Sequence, residues 1–317
     1  MYDLIGDIHG YATELKALLA KMDYQEIDGV WQHPERKVIF LGDFVDRGPE
    51  QVETVRVARN MVESGNALAV MGNHEFNAVC WATPDPENSD EYLRPHTAKN
   101  LGQHQAFLDQ VGEGSDLHRS MTEWFKTLPI YLDLTGLRVV HACWHPKYLK
   151  TIGKFTDDQN RLLPEAWEAS SRKGSEAYDT IETLLKGLEI PLPPGHYFLD
   201  KDENKRTDVR TRWWQTEKLT YRDLAMVPGS EIDKIPHDPV EADILPGYDG
   251  EKPVFVGHYW LKGEPAPLSD HIACLDYSVA GGDRGGKLCA YRFDGEASLR
   301  PQGFVWVDGM TRPTQKS

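Results

Sequence analysis

Residues 38–49, VIFLGDFVDRGP, decide how this chain is read. An apolar run breaks at Gly42, and Asp43, Asp46 and Arg47 follow before Gly48-Pro49. That is the pattern of a strand ending, and open α/β sheets carry their chemistry at the carboxyl ends of their strands. The same grammar occurs four more times. YDLIGDIHG (2–10) leaves Asp7 and His9 after an apolar start, ALAVMGNHE (67–75) leaves Asn73, His74 and Glu75, LRVVHAC (137–143) ends in His141, and VFVGHY (254–259) ends in His258. Singly these pairs are weak signals, because Gly-Asp and Gly-Asn are common turn dipeptides whose side chains cap backbone groups. Together, Asp7, His9, Asp43, Asn73, His141 and His258 combine hard oxygen donors with imidazoles, a set suited to borderline divalent metals such as manganese, iron or zinc. Six ligands exceed what one ion with an open position needs, whereas two ions sharing one carboxylate fit. Two cations about 3.5–4 Å apart can bind a phosphate, lower the pKa of a bridging water and stabilise in-line displacement at phosphorus.

Outward from these motifs the pattern alternates in the manner of an α/β fold. Leu15, Leu18, Leu19 and Met22 recur at helical spacing, Lys37 to Leu41 reads as a strand, and Pro49 opens a helix carrying Val52, Val55 and Val62. Ala67 to Met71 is a third strand with a helix after it. Residues 83–97 form a polar, proline-containing loop in which chemistry is not expected. Helical segments follow around Phe107 and Met121 to Leu128, then a strand at Leu137 to Val140. From about Lys147 to Pro253 the pattern turns irregular, with one amphipathic helix near residues 164–188, and reads as an inserted cap. Strands at Val254–Val256, Ala273–Leu275, Lys287–Phe293 and Gly303–Val307 suggest a second sheet partly built from the C-terminus.

Composition narrows the classes. With 317 residues, 40% hydrophobic and 27% charged, the chain can bury a sizeable core. A formal net charge of −15 opposes general nucleic-acid binding. No run of about 18 apolar residues and no basic-then-apolar start are present, so neither a membrane span nor secretion is expected, and the cytoplasm is the expected setting. Cys80, Cys143, Cys274 and Cys289 form no C-x-x-C pair and read as reduced thiols.

GDIHG, GDFVDRG, GNHE and the two later histidines resemble the signature of the phosphoprotein phosphatase (calcineurin-like) family of metallophosphoesterases, in the bacterial branch that includes symmetric dinucleoside tetraphosphatases. The resemblance covers residues 1–75, is recognisable at 137–142 and 254–290, and fails over the insertion. It implies an α/β fold: a metallophosphoesterase-type β-sandwich of two mixed sheets flanked by helices, one domain over 1–317 with a cap-like insertion at about 147–253. It also implies roles. Asp7 and His9 hold the first metal, Asp43 bridges, and Asn73, His141 and His258 hold the second. His74 is the general acid, oriented by Asp46, and Arg47 grips phosphate oxygens beside Asn73. A second phosphate arginine is expected from VRTRWW (209–214), where Arg210 is chosen over Arg212, with packing of the cap as the alternative. Asp276 is expected to fix the tautomer of His258, and Glu75 to salt-bridge near the metals or cap the following helix.

Departures bear on the substrate. Cys143 stands where a small residue would admit substrate closely, and Trp260 adds bulk beside His258. His33, His96, His104, His118, His145, His237 and His271 have no nameable ligand partner and read as surface or packing residues. The leading expectation is a dinuclear phosphatase, with manganese as the metal and iron or zinc as alternatives, that hydrolyses phosphate esters with metal-bound hydroxide on phosphorylated Ser, Thr or Tyr of a protein. The runner-up is hydrolysis of diadenosine tetraphosphate, with Trp213, Trp214 or Trp260 stacking on adenine or else packing the core. A phosphodiesterase ranks lower, since GNHE and Trp260 stand where such proteins carry an Asp and a second histidine. A catalytically silent binding module would have lost a ligand or the acid, and all are present. No oligomeric state is readable.

Overall fold

A computed structural model describes residues 1–200, 203–217, 219–241, 244–281 and 285–309 of the chain. The first sheet contains β1 (Tyr2–Ile5), β2 (Lys37–Phe40) and β3 (Ala67–Ala69) in parallel. The second contains β4 (Tyr131–Asp133), β5 (Arg138–Val140), β6 (Val254–Val256) and β7 (Ile272–Cys274), in the order β7-β6-β5-β4. Beyond Leu275 the chain changes sheets. Strands β8 (Asp276–Tyr277), β9 (Lys287–Phe293) and β10 (Phe304–Asp308) all join the first sheet, where β9 pairs antiparallel with β1, Tyr2 opposite Phe293. Both sheets are mixed. The expected C-terminal contribution to a second sheet is thus divided: β6 and β7 complete the second sheet, whereas β9 and β10 extend the first.

The two sheets face each other across Leu4, Ile39, Leu41 and Val70 on one side and Leu137, Val139, Phe255 and Ala273 on the other. Successive strand residues point to opposite faces, so Ile5, Val38 and Phe40 turn away into a second core. Helices α1 (Ala12–Lys21) and α2 (Gln51–Glu63) supply Leu15, Leu18, Leu19, Val55 and Met61 to that core. Burial on both faces explains why these strands read as continuous apolar runs rather than alternating ones. Pro49 lies two residues before α2, whose N-cap is Glu50.

Helices α3 (Asn73–Ala82), α4 (Ala98–Val111) and α5 (Asp116–Phe125) follow β3. The stretch after β5 carries α6 (Pro146–Ile152), α7 (Ala166–Ser171) and α8 (Glu176–Lys186). The single helix expected near 164–188 is therefore two. Gly174, at φ +91, breaks it, and the Ser175 hydroxyl caps α8 by accepting from Tyr178 N. Two hairpins follow, Glu189–Pro191 with Asp208–Arg210 and Phe198–Leu199 with Lys205–Arg206. Ile181, Leu184, Leu185, Val209 and Trp213 pack into the same core as α1 and α2. No helix among the described residues is long and apolar enough to cross a membrane.

One buried ion pair ties the edge of this core. Asp3 is fully buried, and both its oxygens accept from Arg36 Nε at 2.9 Å while Oδ2 accepts from the Tyr24 hydroxyl at 3.0 Å. Arg36→Met should lower unfolding free energy by about 3 kcal/mol, because it leaves the buried carboxylate to the Tyr24 hydroxyl and to Arg292, whose Nε is 3.4 Å from Oδ1. Urea denaturation at neutral pH checks it, and an added Asp3→Asn change should return much of the loss.

Candidate active site

The chain leaves β1, β2 and β6 through left-handed backbone. His9, Asp43, Asp46, Arg47 and His258 adopt φ values of +50, +51, +70, +72 and +72. A non-glycine residue there costs roughly 1–3 kcal/mol and persists only where its surroundings hold it. They are held. Ile8 N and His9 N both donate to Asp43 O, at 3.0 and 2.8 Å, interlocking the first two turns. Glu75 accepts from Asp43 N at 2.8 Å, Phe44 N at 2.8 Å and Gly72 N at 3.0 Å, so one carboxylate pins the second turn to the start of α3. Backbone approach is tight enough to require glycine: a Cβ at Gly257 would fall on Asp7 Oδ1, and one at Gly72 on Asp43 Oδ1.

The side chains then converge. His9 and His141 donate from Nδ1 to the carbonyls of Val45 (3.0 Å) and Leu41 (2.6 Å), which aims both Nε2 lone pairs inward. Asp43 Oδ2 lies 3.3 Å from His141 Nε2, 3.7 Å from His9 Nε2 and 3.9 Å from His74 Nε2. Asn73 Oδ1 lies 2.8 Å from His258 Nδ1 and 3.2 Å from His141 Nε2. Two groups of donor atoms each fall within 4.8 Å of one another, His9 with Asp43 and His74, and Asp43 with His141 and His258. Asp43 is common to both. Asp7 is outside these sets but adjoins them: its Oδ2 accepts from His258 N at 2.9 Å, and its buried Oδ1 has no hydrogen-bond partner among the described residues.

Electrostatics tests whether cations fit. Burial, then the charges of Asp276 and Asp43, raises the Asp7 carboxyl well above its ordinary range. Burial, then His74, pushes the His9 imidazole down to about 3. His258 is also driven well down, by burial and then by the positive charge of Arg210. His141 goes the other way, up to about 10, because Asp43 and Asp7 outweigh its burial. A buried carboxylate and lone pairs left without donors are what divalent cations would satisfy. The donor set, carboxylate and amide oxygens with imidazoles, fits two of them.

His74 and Asp46 meet, Nδ1 to Oδ2 at 2.5 Å. Asp46 is buried, which by itself would raise its carboxyl, yet hydrogen bonds from His104 and His74 hold it well below the ordinary range. Arg47 is exposed, its guanidinium 4.7 Å from the centroid of the Trp260 ring. Arg210, half-buried, donates to Glu189 Oε1 at 3.2 Å and lies close enough to His258 to depress it, whereas Arg212 donates to Asp223 O at 2.9 Å.

Several expectations need correction. His104 is no mere packing residue: its Nδ1 meets Asp46 Oδ1 at 2.7 Å. Its signal in the sequence was a polar residue on the apolar stripe of α4, with Phe107, Leu108 and Val111. Asp276 has no bond to the His258 ring; it accepts from Trp260 N at 2.7 Å and Ser278 N at 2.9 Å, fixing the chain beyond that histidine. Cys143 is fully buried in the core. Trp213 and Trp214 are buried as well, with Trp213 Nε1 donating to Ala142 O, so of the three tryptophans only Trp260 is partly exposed.

Asp43→Asn should reduce occupancy at both cation positions, read by elemental analysis after loading with manganese. Glu75→Ala should weaken cation binding by about 10–100-fold, since it frees the turn that carries Asp43. Competition with a chelator measures this, and unchanged affinity would remove the pinning role.

The calcineurin-like phosphoesterase model matches residues 2–182. The symmetrical bis(5'-nucleosyl)-tetraphosphatase of Hamiltonella defensa is 42% identical over 304 residues, 88% of this chain and 90% of that one. The asymmetrical bis(5'-nucleosyl)-tetraphosphatase of Oceanobacillus iheyensis is 28% identical over 141 residues, 44% of this chain, and the match spans about half of that relative, 54% of its length. A cold-active protein-tyrosine phosphatase of a psychrophilic Shewanella species shares the fold, with a TM-score of 0.51 and 16% identity over 98% of this chain and 80% of that one. The chain belongs to the calcineurin-like phosphoesterase family.

Proposed function

We propose that the protein is a divalent-metal-dependent phosphoric ester hydrolase acting on dinucleoside polyphosphates, with symmetric cleavage of a tetraphosphate. The observation that carries the substrate is the near end-to-end match to the symmetrical tetraphosphatase of Hamiltonella defensa, 88% of this chain against 90% of that one. It favours the dinucleotide over the phosphoprotein, reversing the order read from the sequence. The asymmetrical relative matches only 44% of the chain.

In this reading Asp7, His9, Asp43, Asn73, His141 and His258 hold two cations, manganese by preference. When bound, these supply Lewis acidity and lower the pKa of an attacking water. The chain's own residues do the rest. Arg47, Asn73 and Arg210 hold the phosphate oxygens, the two arginines through planar forks. His74 is fixed at Nδ1 by Asp46 and turns Nε2 toward Asp43, from where it gives its proton to the leaving oxygen. Asp46 keeps the ring oriented and supports its protonated form. Burial of His74 by itself would lower its affinity for that proton, but the charges of Asp43 and then Asp46 outweigh it and raise it. Trp260, partly exposed and stacked on Arg47, offers the apolar face against which a nucleobase can lie. The cytoplasm is the setting proposed.

Diadenosine tetraphosphate incubated with the manganese-loaded protein should yield ADP alone, resolved by ion-exchange chromatography. AMP with ATP would overturn symmetric cleavage, and a higher kcat/KM on a phosphopeptide would overturn the dinucleotide. His74→Asn should retain its metal yet lose about 100-fold in kcat on an alkyl phosphate, whose leaving oxygen needs a proton. An unaltered rate removes the acid assignment.

A further inference from the structure

Polar chemistry continues behind Asp46, away from the converging ligands. Asp46 is 2% exposed, and each of its oxygens meets a different imidazole: Oδ2 meets His74 Nδ1 at 2.5 Å and Oδ1 meets His104 Nδ1 at 2.7 Å. Its backbone N–H donates to Gln51 Oε1 at 2.7 Å, and Gln51 Nε2 donates to Gly48 O at 2.6 Å. A residue held at φ +70 is therefore fixed at its backbone and at both carboxylate oxygens.

His104 is 3% exposed on α4, between the rings of Trp81 and Phe107, whose centroids lie 5.8 and 5.1 Å away. Its Nε2 is buried without a hydrogen-bond partner among the described residues. Packing alone would be served better by an apolar side chain, since burying an imidazole nitrogen unpaired costs free energy. The polar ring is explained by what its other nitrogen does. His118 and Arg94 face the same region, His118 close enough to feel His104 and Arg94 close enough to feel Asp46.

We infer that His104 is a positioning residue for the general acid. It occupies one oxygen of Asp46 so that the other faces His74 Nδ1, and a carboxylate released from His104 could swing about its side-chain torsion and take the His74 ring with it. The effect falls on proton delivery to the leaving oxygen, not on cation or phosphate binding. It rests on the reading of His74 as the acid.

The test uses the full chain loaded with manganese, with phenyl phosphate as a poor leaving group and 2,4-dinitrophenyl phosphate as a good one. His104→Phe keeps a ring but no donor, and should lower kcat about 10-fold on phenyl phosphate and under about twofold on the dinitrophenyl ester. KM and the metal-to-protein ratio should hold. His104→Asn, which restores a donor near the Nδ1 position, should recover most of the loss. Should His104→Phe melt below the assay temperature, His104→Gln, whose amide sits farther out than Nδ1, takes its place. Equal losses on the two esters, or a loss confined to KM or metal content, would overturn the inference and leave His104 as packing. His74→Asn on the same pair separates the premise: a steep dependence on leaving group for His74→Asn with a flat one for His104→Phe sinks the positioning role alone. A flat dependence for His74→Asn sinks the acid and the inference with it.

Discussion

The carboxylate of Asp43 is the constraint around which this protein is arranged. It is 2% exposed, with imidazole nitrogens of His141, His9 and His74 within 3.9 Å of one oxygen and the His74 backbone N–H on the other. An ionised carboxylate out of water costs several kcal/mol unless positive charge or hydrogen bonds surround it. Here His141 and His74 outweigh burial and keep Asp43 well below the usual carboxylate range. To surround it, the fold must bring strand ends from both sheets to one point. That requirement explains the tight backbone approaches at Gly72 and Gly257, where any side chain would collide with the carboxylate of Asp43 or Asp7.

Convergence of this kind is bought with strained turns, and the strain is distributed rather than removed. Left-handed residues sit at His9, Asp43, Asp46, Arg47 and His258, all in or beside the site. Glu75 and Gln51 hold these turns by collecting backbone N–H groups that have no place in a strand or helix. Burial and the nearby charge of Asp43 push Glu75 up to about 7 despite those three donors, a measure of how closely the two carboxylates are packed. Rigid support of this sort keeps donor atoms aimed at one place.

The stretch between β5 and β6 contributes to the same centre. Ala142 N donates to Leu184 O of α8, and the carbonyl of Ala142, next to His141, accepts from both Trp213 Nε1 and the Tyr259 hydroxyl. Tyr259 follows His258 directly. A buried aromatic pair from two distant parts of the chain therefore braces the two later histidines, while the Glu189–Arg210 pairing brings a guanidinium near His258. The tryptophans that looked available for a nucleobase are committed to this bracing, which leaves Trp260, stacked on Arg47, at the exposed side.

The sequence by itself determined the strand endings and the residue types placed at them. Apolar runs broken by glycine are local signals, so Asp7, His9, Asp43, Asn73, His141 and His258 were legible as a set, as were the helices after β1, β2 and β3. Tertiary structure decided what depends on distant segments meeting. The path of the C-terminal strands turned on Leu275, where the chain leaves one sheet for the other, and no local pattern encodes that crossing. The reach of His104 to Asp46 spans 58 positions and shows in the sequence only as a polar residue on an apolar stripe. Whether Asp276 touched a ring or a backbone, and whether Trp213 faced substrate or core, depended on packing. Periodicity reports which way a side chain points from its own element; only the assembled sheets and helices fix what it meets there.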